Sequence, residues 1–143
     1  MTAVEWRQNI WGPVVMDALN AIEIASSKDK KMLEIGFGGG SFAVYLASYG
    51  INVHAIEHTD KRLDEAIQYS KDCGVEDRCE FQVRDFFDLD EQYDLVVLKS
   101  VLYSISDVKT YEAWIKQLSQ LIKPTCELLV IENGSGNKLV KFY

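Results

Sequence analysis

The segment Lys31-Met-Leu-Glu-Ile-Gly-Phe-Gly-Gly-Gly40 constrains this chain more than any other. Apolar residues stop abruptly at a glycine cluster, with Glu34 just inside it. That pattern reads as a buried strand feeding a tight turn and then a helix. Glycine admits positive φ and lets a backbone approach a bound molecule closely. A second strand-like run, Ile51-Asn-Val-His-Ala-Ile-Glu57, ends in an acid 21 residues after Gly36. A glycine turn followed by an acid at that distance suits a nucleoside-containing cofactor, with the acid taking ribose hydroxyls.

The dinucleotide fingerprint needs glycines at the first, third and sixth places of its turn. Gly36 and Gly38 fit, but the sixth place is Ser41. Glu34 beside the turn is an awkward neighbour for a pyrophosphate and a reasonable one for a cation. A nicotinamide-dependent oxidoreductase is therefore the weaker reading.

The remaining elements follow in a regular order. Apolar residues from about Val4 to Ala25 recur at three- and four-residue spacing and read as helical, interrupted at Gly12-Pro13. Met32 to Ile35 is the first strand, and Gly40 to Tyr49 the helix after it. Val53 to Glu57 is the second strand. Thr59 or Asp60 can cap a helix running to about Cys73 and ended by Gly74. Glu80 to Val83 and Asp94 to Leu98 are the third and fourth strands. Ser106 or Asp107 can cap a helix to about Ile122, and Pro124 stops it. Glu127 to Ile131 is the fifth strand. Short strands alternating with helices predict an α/β fold, a parallel sheet covered on both faces.

Composition narrows the function classes. The chain of 143 residues is long enough for a single domain. Its net charge of -7 disfavours nucleic acid held by backbone electrostatics. Three cysteines without a Cys-x-x-Cys pair give neither a disulfide framework nor a structural zinc site, and two histidines argue against a metal centre. No secretory leader or membrane-crossing stretch is expected, and a cytoplasmic setting follows by default.

With its acid, one residue, and glycines at alternate places, Glu34-Ile-Gly-Phe-Gly-Gly-Gly40 resembles the first motif of the class I S-adenosylmethionine-dependent methyltransferases. The resemblance covers roughly Trp6 to Glu132. It implies a Rossmann-like three-layer sandwich with strand order 3-2-1-4-5 and S-adenosyl-L-methionine as cofactor. In that family the fold continues past its fifth strand with a further helix and two more strands, one antiparallel. Residues Asn133 to Tyr143 are too few for all of that, so the last two strands are expected to be absent and 133–143 to form a short tail. The fifth strand would then be a bare edge, a liability that a truncated chain would leave open or a homodimer would cover. The apolar end Leu139 to Tyr143 looks like the start of another element.

The resemblance also assigns roles. Gly36, Phe37, Gly38 and Gly40 would floor the cofactor cleft near its amino-acid part. Glu34 would position that turn, receive the methionyl ammonium, or cap backbone donors. Glu57 would take the ribose hydroxyls, since a carboxylate accepts from both, and His58 would line the adenosine pocket. His54, inside the strand, reads as a packed histidine. Asp85 would accept from the adenine amino group or cap a turn, with Phe86 covering the ring. Lys99 and Ser100 would pass the methyl-bearing end. The sequence Lys99-Ser-Val-Leu102 differs from the Asn or Asp, proline and aromatic pattern of base- and glutamine-modifying members, and favours a small-molecule acceptor. Tyr103 is either a substrate-facing hydroxyl or a core aromatic. Residues 1–27, with Trp6 and Trp11, would form a helical lid over the substrate or a helix packed on the sheet. The expected chemistry is in-line methyl transfer. The alternative is a cofactor-binding or interaction protein without catalysis.

Overall fold

The computed structural model describes residue 20, residues 29–132 and residues 140–142. Five strands form first: β1 (Lys31–Ile35), β2 (Asn52–Glu57), β3 (Cys79–Val83), β4 (Tyr93–Lys99) and β5 (Ile122–Ile131). They alternate with three helices, α1 (Ser41–Ala47), α2 (Leu63–Asp72) and α3 (Val108–Leu121). With a last strand, β6 (Val140–Phe142), the sheet order is β3-β2-β1-β4-β5-β6, so the expected 3-2-1-4-5 order is observed. β1 pairs in parallel with both β2 and β4, and the strand order reverses between β1 and β4.

Period-two alternation along the strands divides the core into two layers. Met32, Val53, Ala55, Leu95 and Val97 face one way, against α1 and the inner side of α2. Leu33, Ile35, Ile56, Val96 and Leu98 face the other way, against Leu118 and Leu121 of α3. This is the three-layer sandwich that near-continuous apolar strands require. His54 is buried as a packed histidine, its Nδ1 2.6 Å from the Tyr93 hydroxyl.

Helix ends follow local chemistry. The Asp107 carboxylate accepts from the Thr110 N–H at 2.8 Å, capping α3 as its sequence predicts. α2 starts later than expected, at Leu63, without a side-chain cap; the Asp60 carbonyl accepts from Leu63 N–H instead. Gly74, at φ +67, ends it through a bond from its N–H to the Lys71 carbonyl.

Two expectations about the C-terminal part change. β5 begins at Ile122, directly after α3, and Pro124 lies inside it. The pairing with β4 slips between Tyr93 and Leu95, an irregularity that suits a residue with no N–H to give the ladder. Beyond β5, Val140–Phe142 forms β6, antiparallel to β5, with Val130 opposite Val140 and Leu128 opposite Phe142. Residues 140–142 of the expected tail thus form a strand, and the edge of β5 expected to lie bare is paired within the chain along Leu128 to Val130. The apolar residues at its end supply that strand.

One glycine of the turn is a packing requirement. Gly40 has φ +76, and a Cβ there would lie 2.8 Å from Ala66 Cβ of α2 and 3.0 Å from Phe81 Cζ. Gly40→Ala should destabilise the fold by about 2 kcal/mol, from left-handed backbone strain and overpacking together. The denaturation midpoint should fall with the slope unchanged; an unshifted midpoint would contradict this packing.

Candidate cofactor-binding site

A cleft of about 470 Å³ opens where the strand order reverses, beyond the carboxyl ends of β1 to β4. Each strand contributes its last residues or the turn after it. β1 and the glycine turn give Ile35 and Gly36, and β2 gives Ile56 and Glu57 followed by His58. Arg84 to Phe87 come from the segment after β3, and Lys99 to Val101 from the end of β4. Of the residues singled out in the sequence, Gly36, Glu57, His58, Asp85, Phe86, Lys99, Ser100 and Tyr103 converge here.

Glu57 is held in place from both sides. Its Oε1 accepts from the His58 backbone N–H at 3.0 Å and lies 2.6 Å from His58 Nδ1. Its Oε2 accepts a long bond from Gly38 N–H at 3.4 Å. The carboxylate therefore ties the second strand to the glycine turn. Gly36 has φ +84, and a Cβ there would meet Val101 Cγ2 at 3.0 Å. A side chain at position 36 would fill the gap between the β1 and β4 walls.

Glu34 lies beneath this turn with no exposed surface. Neither of its carboxylate oxygens has a hydrogen-bond partner among the described residues. Burial raises its pKa to about 7; the charge of Lys99 and the backbone N–H of Ala43 oppose the rise, and the charge of Glu57 adds to it. The Ala43 N–H is close enough to act but does not reach hydrogen-bond geometry with either oxygen. A buried acid without donors is suited to a cation arriving nearby.

The opposite end of the cleft is aromatic. Phe86 is buried and stacks on Trp114 of α3, ring centroids 4.2 Å apart and planes at 22°. Phe87 meets Trp114 edge-on at 6.0 Å and is about half exposed. Asp85 Oδ1 accepts from Phe87 N–H at 2.8 Å, so one of its oxygens caps the short 3-10 turn at Phe86–Asp88. The turn-cap role is thus occupied, and the same side chain still lines the cleft.

The β4 wall ends in a strained turn. Ser100 has φ +56, uncommon for a residue with a side chain, and its N–H bonds the Ile131 carbonyl at 2.8 Å. Glu132 Oε1 accepts from the N–H groups of Val101 at 2.8 Å and Leu102 at 2.6 Å. Tyr103 stands at the mouth, 72% exposed, which excludes the core-aromatic reading.

Three expected positions differ. Phe37 points away from the cleft into the core, edge-on to Phe81 at 5.1 Å. Gly40 packs on α2 and does not line the described cleft. Gly38 meets the site through its bond to Glu57. The turn has alternate residues, Gly36, Gly38 and Gly40, at positive φ, and Phe37 between them packs into the core. Trp6 and Trp11, with the rest of the expected lid, lie outside the described residues. Trp114, Arg84 and Glu132 were not anticipated. Trp114 is legible only as a helix residue, because nothing in its local sequence says that α3 turns it onto Phe86.

Known proteins resemble this chain in sequence and in fold. The family model described as "Methyltransferase domain" matches residues 26–139. A ubiquinone biosynthesis O-methyltransferase of Rickettsia conorii is 32% identical over 94 residues, covering 66% of this chain and 32% of that protein. The chain spans less than half the length of the Rickettsia relatives it matches, 45% in the case of Rickettsia canadensis. Among solved structures, the mitomycin 7-O-methyltransferase MmcR superposes with a TM-score of 0.74 at 23% identity, over 90% of this chain and 38% of its own. The N-methyltransferase NodS of Bradyrhizobium japonicum, solved with S-adenosyl-L-homocysteine, gives 0.71 at 22% identity, over 90% and 67%.

Proposed function

The chain belongs to the methyltransferase-domain family, and from that premise we propose that it binds S-adenosyl-L-methionine and transfers the methyl group to a small-molecule acceptor. The observation that carries the reading is the fixed Glu57 carboxylate, tied to the glycine turn and facing the cleft between β1 and β4. The residues present fit the cofactor. Gly36 leaves the space that a Cβ would take, and Glu34 is a buried acid without donors beneath it.

Glu57 would accept from both ribose hydroxyls, with His58 beside it. Phe86 and Phe87 would flank the adenine, and the remaining oxygen of Asp85 would accept from its amino group. Glu34 would favour the ammonium group, and Lys99 and Ser100 would border the methyl-bearing end. Bound there, the sulfonium supplies an electrophilic methyl group for in-line displacement by the acceptor. The protein's part is to hold the acceptor opposite the sulfur and exclude water. Trp6 and Trp11 of the 1–27 segment, with Tyr103, are proposed to cover that acceptor. Relatives acting on oxygen and on nitrogen both match, so the acceptor atom is open within the proposal.

No helix among the described residues is long and apolar enough to cross a membrane. Cys73, Cys79 and Cys126 are free thiols, which supports a reducing, cytoplasmic setting. Homodimer pairing in this scheme would use the outer edge of β6, because β6 already takes that of β5.

Calorimetry with S-adenosylmethionine, S-adenosylhomocysteine and NAD tests the reading. The two sulfur compounds should bind and NAD should not. Binding of NAD alone would replace the proposal with the nicotinamide reading. A second reading is binding without transfer. Retained cofactor binding with no methyl transfer to any hydroxyl or amine acceptor would favour it.

A further inference from the structure

The guanidinium of Arg62, just before α2, lies against the glycine turn. A Cβ on Gly38 would stand 3.5 Å from Arg62 Nη1, and one on Gly39 would stand 3.0 Å from Arg62 Cζ and 2.9 Å from Glu65 Oε1. Glycine at both positions leaves the turn low enough for this charged pair to rest on it. Arg62 meets Glu65 through two parallel bonds, Nε to Oε2 and Nη2 to Oε1, each 2.7 Å. Both side chains are more than half exposed, at 55% and 57%. Exposed ion pairs are weak, so Arg62 can exchange this carboxylate for another at little cost.

The cleft gives that exchange a purpose. Its carboxylates are Glu57 and Asp85, with Glu34 beneath, and the whole chain carries a net charge of -7. The cofactor's amino-acid end brings a carboxylate into this acidic setting and requires a cation. Arg84 is committed to the Asp88 carbonyl at 2.7 Å, His58 to Glu57, and the charge of Lys99 acts on the buried Glu34. Arg62 is held only by a surface acid among the described residues, and its planar fork matches a carboxylate bidentately. Gly38, the residue under its Nη1, is also the one whose N–H reaches Glu57. The guanidinium thus adjoins the point where the nucleoside and amino-acid halves of the ligand would meet.

We propose that Arg62 leaves Glu65 to bind the carboxylate of the cofactor's amino-acid end, with Glu65 as the competing internal anion that holds it in readiness. This rests on the reading of the cleft as an S-adenosylmethionine site. Titration calorimetry of the full chain with S-adenosylmethionine and with its decarboxylated form tests it. Arg62→Ala should weaken the carboxylate-bearing ligand by roughly tenfold, as expected for a charge-assisted pair, and leave the decarboxylated form within about twofold. Glu65→Gln removes the competitor and should tighten the carboxylate-bearing ligand alone. Equal losses for both ligands in Arg62→Ala would make Arg62 a support of the turn and overturn the proposal, as would no loss for either. Wild-type protein that binds neither ligand would overturn the functional reading itself, a result distinct from any outcome of the variants.

Discussion

Glu57→Ala should weaken S-adenosylmethionine and S-adenosylhomocysteine together, by about 1.5–3 kcal/mol, or roughly ten- to a hundredfold in dissociation constant. The two ligands share the ribose and differ at sulfur, so a ribose contact must affect both alike. The carboxylate is already oriented by His58 and Gly38 before a ligand arrives, and little of the contact is lost to ordering it. The same bonds predict a secondary effect: without Glu57 the Gly38 N–H loses its acceptor and the glycine turn loses its tie to β2. Glu57→Gln keeps the shape and should recover part of the affinity, because an amide offers one accepting oxygen where the acid offers two. Unchanged affinity for both ligands in a folded Glu57→Ala protein would remove Glu57 from the site.

Glu34 should make the ligand-free protein less stable as pH rises. Its pKa in the fold is about 7 against 4.5 for the ordinary group, with burial the main cause. Below pH 4.5 the acid is protonated both folded and unfolded, and its ionisation makes no demand on the fold. Between 4.5 and 7 the unfolded chain gives up this proton first, so the folded state loses stability with each step in pH. At about 1.4 kcal/mol per pH unit, the loss by pH 8 is about 3 kcal/mol. The carboxyls of Asp94, Glu91, Glu65 and Asp107 are shifted the other way, by hydrogen bonds to Lys123, Lys31, Arg62 and Thr110 respectively. Their stabilisation is lost only as pH falls through the acid range, so they do not contribute between pH 5 and 8. Denaturant titrations at pH 5 and 8 should show the wild-type loss, and Glu34→Gln should abolish most of it. The buried amide brings its own unpaired donors, so the slope with pH, and not the absolute stability, is the signature. Identical pH dependence in the two proteins would mean that Glu34 ionises freely in the fold.

The strand order and the cleft's position were legible because they depend on patterns that span few residues. An apolar run ending in Gly36, another ending in Glu57, and a helix capped by Asp107 each declare themselves locally. The turn's inward half was not legible. Phe37 lies within the glycine turn and Gly40 continues its alternate spacing, and only the packing of Phe37 on Phe81 and of Gly40 on Ala66 sets them apart from Gly36. Trp114 reaches the site from a helix 28 residues beyond Phe86, a contact that periodicity cannot predict. β6 was legible only as the start of an unspecified element, for a related reason. Three residues carry little strand signal of their own, and what places them is the open ladder of β5, formed elsewhere in the chain. Pro124 read as a helix stop because helix termination is its commonest effect. Its place within a strand depends on the slipped register with β4, which no local pattern encodes.

The Glu132 carboxylate fastens the Val101–Leu102 turn to the end of β5, while Glu57 fastens the glycine turn to the end of β2. The cleft is therefore framed by two halves, each locked by its own acid and drawn from its own continuous stretch of sequence. On the proposed reading, residues 34–87 would make most of the half that holds the nucleoside, with Trp114 behind Phe86, and residues 99–104 would border the acceptor. Such a division lets the later stretch be exchanged or diversified as a cassette. New acceptors can then be acquired without rebuilding the cofactor grip, and a library confined to positions 100–104 is the economical place to begin.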